Sequence, residues 1–117
     1  IKISLVATDN PTYLLAPKAP VELKLSEVGA SLKPIFTWKT DCRYAAVALF
    51  DLTEQQTVWE RISTTQGYKA YDEGYLKKGH RYIWAVKVSN KFGVYSAEAR
   101  AAFRIDEVNG VVVAIPE

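Results

Sequence analysis

Apolar and polar positions alternate along most of this chain with a period of two. Strands produce that pattern when one row of side chains lies on a core and the next row points away. The firmest run is Tyr82-Ile-Trp84-Ala-Val86-Lys-Val88, inside a strand expected over residues 80–90. Val21, Leu23 and Leu25 share one face of a strand over 21–26, and Phe36 and Trp38 share a face over 34–39. A third strand, over 43–51, is apolar on both faces: Val47 and Leu49 are assigned to the core, Tyr44, Ala46, Ala48 and Phe50 to the other side. A fourth, over 57–63, sets Val58 and Ile62 against Trp59 and Arg61, and a short fifth covers 68–72. The seventh, over 94–106, places Ala97, Ala99, Ala101, Phe103 and Ile105 opposite Glu98, Arg100 and Arg104. Ile1-Lys-Ile3-Ser-Leu5 and Val111-Val-Val-Ala-Ile115 are strand-sized runs at the two ends.

The breaks between these runs are turn chemistry. Asp9-Asn10-Pro11, Pro17, Pro20, Glu27-Val-Gly29-Ala and Asp72-Glu-Gly74 interrupt the pattern with residues that fix or free the backbone. Residues 96–104 have the Ala and Glu content of a helix, but their period of two and the hairpin before them favour strand. Seven strands at roughly ten-residue spacing imply an all-β, antiparallel two-sheet sandwich with extra terminal strand segments. Leu76 precedes Tyr82 by six residues with Gly79 between them, the layout of a tyrosine corner, in which the phenol reaches back to the upstream chain. The expected core is Phe36, Trp38, Tyr82, Trp84, Val86 and Phe103.

Phe36-Thr-Trp38, Tyr44 opening a strand, Leu76…Gly79…Tyr82-Ile-Trp84-Ala-Val86, and Asn90-Lys-Phe-Gly93 with Ser96 together resemble the fibronectin type III family of immunoglobulin-like sandwiches. The Tyr-x-Trp of the sixth strand and the Ala-Arg-Ala-Ala-Phe103-Arg-Ile run look most like divergent bacterial envelope or secreted modules of that family. The resemblance covers residues 17–106. It leaves 1–16 as a terminal strand or linker segment and 107–117 as a strand extension. It implies a non-catalytic spacer or protein-binding module, often in tandem with other domains. It further implies a periplasmic, cell-surface or secreted location, with the cytoplasm as the other option. The fold itself hosts many roles.

The 117 residues suit one domain, and seven Tyr, four Phe and three Trp favour a sandwich interior. A chain that starts at Ile1 and lacks Met is expected to be processed or cut from a longer protein. A net charge of +2 is too small and dispersed for nucleic acid, and no run is long enough for a membrane span. The basic group Lys77, Lys78, His80 and Arg81 reads as a solvated loop. Cys42 is the only cysteine and His80 the only histidine, too few for a zinc site. A Cys42–His80 pair would have to span opposite ends of the sandwich. Asp72-Glu73 and Asp106-Glu107 read as turn residues rather than calcium ligands. No enzymatic activity and no cofactor are expected.

Binding is expected on the outer face of the sheet carrying the third, sixth and seventh strands. Tyr44, Phe50, Trp59 and Ile83, with Ala46, Ala48 and Ala85, make an apolar row there that a monomer rarely leaves bare. Three covers compete. The chain's own ends, residues 1–5 or 111–115, lie on that face or along an edge; a self-associating structural subunit is a separate alternative for the function. A protein partner or neighbouring domain docks, anchored by aromatic rings. Or a carbohydrate stacks on exposed rings, with Trp59, Tyr71 and Tyr75 as candidates.

Overall fold

The computed structural model describes residues 15–26 and 32–117. The expected strand at 1–5 and the turn at 27–30 lie outside the described residues. Among the described residues, eight strands run in the order β1 Val21–Leu25, β2 Ile35–Lys39, β3 Tyr44–Asp51, β4 Gln56–Ser63, β5 Tyr68–Ala70, β6 Arg81–Ser89, β7 Ala99–Val108 and β8 Val111–Pro116. They form two antiparallel sheets, β1-β2-β5 and β4-β3-β6-β7-β8. The chain thus crosses between layers three times, after β2, β4 and β5, as a sandwich of the expected class does.

The core lies where the inward rows of both sheets meet. Phe36, Trp38, Tyr82, Trp84, Val86 and Phe103 are all buried, with Val47, Leu49 and Ile105. Phe36 joins the layers: its ring centroid is 4.7 Å from that of Trp84 and 5.5 Å from that of Trp59. On β3 the burial alternates strictly, with Val47 and Leu49 inward and Tyr44, Ala46, Ala48 and Phe50 outward. The tyrosine corner is closed. The Lys77 amide donates to Tyr82 Oη at 2.8 Å, and the buried Leu76 plugs the turn beside it. Burial pushes the Tyr82 phenol up to about 12, so near neutral pH it is a neutral hydroxyl.

Three elements differ from expectation. Val21 is exposed rather than aligned with Leu23 and Leu25, because Glu22 adopts φ 52° and the β1–β2 register shifts there. β7 starts at Ala99, not 94. Ser96 instead grips β6, its amide donating to Val88 O at 2.7 Å and its Oγ accepting the Val88 amide at 3.0 Å. β7 then runs on to Val108 and turns back through Asn109-Gly110 into β8. Asn109 and Gly110 have φ of 53° and 80°, the paired left-handed residues of a type I′ hairpin.

Candidate functional site

β3 and β6 lie side by side at the middle of the five-stranded sheet, and midway along them the outward residues Ala46, Ala48 and Ala85 are small. The register sets Ala48 beside Ala85 and Phe50 beside Ile83. On the β4 side, Ile62 flanks Ala46 and Glu60 flanks Ala48. On the β7 side, Arg100 flanks Ala85. Methyl groups between longer neighbours leave a trough. One part, about 430 Å³, is lined by Ala46, Ala48, Ile62, Ala85, Lys87 and Glu98. A second part, about 360 Å³, continues along Phe50, Thr57, Ile83 and Arg100. Apolar groups form its floor. Its rim carries both charge signs, and Arg100 is held to Glu98 at 2.7 Å.

Of the residues assigned to this face, Tyr44, Phe50 and Ile83 are on it: Tyr44 is exposed, and Phe50 and Ile83 are half-buried. Trp59 is not, and its assignment is corrected. It pairs directly with Leu49 and so shares that residue's inward direction, while a bulge between Leu49 and Phe50 leaves Val58 as the extra residue. Trp59 is 3% exposed, and its indole N–H donates to Asp72 Oδ1 at 2.7 Å. That hydrogen bond, with Arg61 beside it, holds Asp72 below the ordinary carboxylate value. The carbohydrate platform falls with it. Tyr71 is also buried, edge-on to Trp59 at 5.0 Å, which leaves Tyr75 as the one exposed ring of the three.

The end of the sandwich carrying the β3–β4 turn holds a cluster that sequence spacing did not reveal. Asp51 is 1% exposed; its Oδ1 accepts the Glu54 amide, and its Oδ2 lies 2.9 Å from His80 Nδ1. Burial raises the Asp51 carboxyl, but the His80 contact and the Glu54 and Thr53 amides outweigh it and hold the group below 3.8. Ligand-type atoms of Asp51, Glu54 and His80 lie within 4.8 Å of one another. Each already has protein work. Glu54 takes the Lys77 ammonium at 3.1 Å, and Asp51 ties the turn to the segment leading into β6. The arrangement is a clamp between two chain segments 29 residues apart. The only sequence signal that could have found it is the β3–β6 register, which sets Asp51 opposite Tyr82.

Cys42 is half-buried in the β2–β3 loop, near Asn90 and Lys91, with its amide on Thr40 Oγ1. Tyr44 pairs Ser89 and Asp51 pairs Tyr82, so Cys42 and His80 sit at opposite ends of the sheet. Asp106 and Glu107 are ion-paired to Arg104 and Lys78, and Glu73 to Arg61.

No protein-family model matches the sequence, and neither does any curated protein. Among solved structures the chain is similar to the twitchin kinase region from C. elegans (Fn31-NL-kin-CRD-Ig26), at TM-score 0.61 and 14% identity. The match covers 85% of this chain and 19% of that one. With its two antiparallel sheets and closed tyrosine corner, the chain has the immunoglobulin-like, fibronectin type III-like sandwich fold.

Proposed function

We propose that this chain is a non-catalytic module that spaces neighbouring domains and offers the β3–β6 trough to a protein partner. The trough carries the reading: an apolar floor of Ala46, Ala48, Ala85, Phe50 and Ile83 inside a rim of both charge signs. A floor of that kind favours burial, while the rim sets orientation. The separation of Cys42 from His80, and the commitment of His80 to Asp51, support a role without covalent chemistry. Placement in an envelope or secreted protein rests on the sixth- and seventh-strand resemblance alone.

Filling the floor tests it. Ala85→Arg and Phe50→Ser should leave the fold intact and lose the proteins captured by the parent. A Tyr75→Ser variant, away from the trough, should keep them. Equal capture by all four proteins would sink the reading.

A further inference from the structure

Among the described residues, the larger sheet ends in a strand whose outer edge is unprotected. Four of the described strands form edges: β1, β5, β4 and β8. Sheets guard such edges with brevity, bulges, charge or proline. β1 has the Glu22 irregularity, Lys24 and the preceding Pro17 and Pro20. β5 has only three residues. β4 has a bulge and the charged Glu60 and Arg61. β8 reads Val111-Val-Val-Ala-Ile115 without a charge, bulge or proline until Pro116.

The register fixes which β8 backbone groups point outward. Ile105 turns its amide and carbonyl toward β6, bonding His80 O and the Gly79 amide. Its partner on β8 is Ala114, so Ala114 is a non-hydrogen-bonded position of the β7–β8 ladder. Glu117, three residues on, donates to Ala102 O in the opposite phase. Val112 and Ala114 therefore direct their N–H and C=O away from β7, and among the described residues nothing pairs with them. Pro116 shares that phase but has no N–H.

We propose that a second copy of this chain docks on this edge, β8 against β8, through a two-fold axis. Antiparallel pairing with Val112 opposite the partner's Ala114 satisfies both residues on both chains, giving four hydrogen bonds. Centring on Ala114 instead also gives four bonds but sets Val112 against Pro116, whose missing N–H leaves both Val112 carbonyls unpaired, so the register centred on Val113 is the one that pairs every outward group of Val112 and Ala114. The self-match also holds in charge. The core of the edge is neutral, and the acids around it are already paired: Glu107 to Lys78, Asp106 to Arg104, Glu117 to Arg81 and Arg104. Side chains support the join from below. Val112 and Ala114 pack partly on the core, and a cleft of about 280 Å³ between β1 and β8 exposes Leu23, Leu25, Ala101 and Ala114 beside the edge. This surface is separate from the trough, so the two proposals fail independently.

In the preferred register Val113 faces the partner's Val113 across a close non-hydrogen-bonded pair. Light scattering of the 117-residue chain should show a mass rising with concentration toward twice 13.1 kDa. Val113→Lys and Val113→Glu should each hold the mass at that of the single chain. Their equimolar mixture should restore the doubled mass, because unlike charges then meet. Ala114→Pro removes an outward donor the β7 ladder does not use, and should give a folded monomer by tryptophan emission. A parent that stays at 13.1 kDa up to millimolar concentration overturns the proposal, including the case where the edge takes an unrelated extended peptide instead. So does a doubled mass that survives both Val113→Lys and Ala114→Pro, or a charge-swapped mixture that stays monomeric.

Discussion

At the residue scale, Asp51 shows how one buried charge is made tolerable. A carboxylate with almost no exposure would rather be neutral, yet two turn amides and His80 favour its ionised form more than burial opposes it. Its pKa in the folded chain is below 3.8, the value it regains on unfolding. The unfolded state therefore binds the proton more readily. The contribution to stability is full above the unfolded value and is lost as pH falls through the folded one. Asp51→Asn keeps an acceptor but not the charge. Its urea midpoint should lie below the parent's at about pH 5 and approach it by about pH 2. A gap of constant size over that range would show that the ionised clamp adds nothing. Trp59 and Asp72 form a parallel case, an indole N–H finding its acceptor at the rim of the core.

At the scale of elements, the link between β2 and the loop before β5 depends on a glycine. Gly67 has φ 70°, its carbonyl accepts the Trp38 amide at 3.1 Å, and an added Cβ would lie 2.7 Å from Trp38 O. Gly67→Ala should cost about 2–3 kcal/mol by chemical denaturation, from left-handed strain plus a backbone clash. Gly74→Ala, with open space around it, should stay within about 0.5 kcal/mol of the parent. The number, order and facing of strands were legible wherever one parity of a strand was clearly more apolar or more rigidly placed, as on β6 and the second half of β7. β4 was not legible, because Val58, Trp59 and Ile62 put apolar groups on both parities and a bulge resets the count. The start of β7 was hidden too, since a single Ser96 side chain replaces ladder bonds that alternation alone would extend. Of the candidate face, the alanine floor could be read from the outward parity of β3 and β6. Its walls could not, because they come from cross-strand neighbours that only the register brings together.

At the scale of the molecule, the aromatic cluster makes the two sheets interdependent. Phe36 belongs to the smaller sheet and packs on Trp59 and Trp84 of the larger, and Trp38 lies 6.3 Å from Trp84. Neither layer buries its inward row alone. Tryptophan emission, which reports the interface, and far-ultraviolet circular dichroism, which reports the strands, should trace one coincident urea transition. Separated midpoints would mean that a sheet or the β7–β8 hairpin opens by itself.

The course of β8 also governs how the chain would respond to tension. Val21 pairs with Lys39 at the end of the sandwich that carries Cys42. β7 runs past the start of β6, and β8 folds back so that Glu117 lies level with Ala102. Held at residues 21 and 117 and pulled apart, the molecule would bear load at the last bond of β8 and turn that strand back toward its own hairpin. Bonds of the β7–β8 ladder would then part singly from Glu117 upward, rather than all at once as in sliding strands. The sandwich would yield a length of slack at low force before its core felt any load.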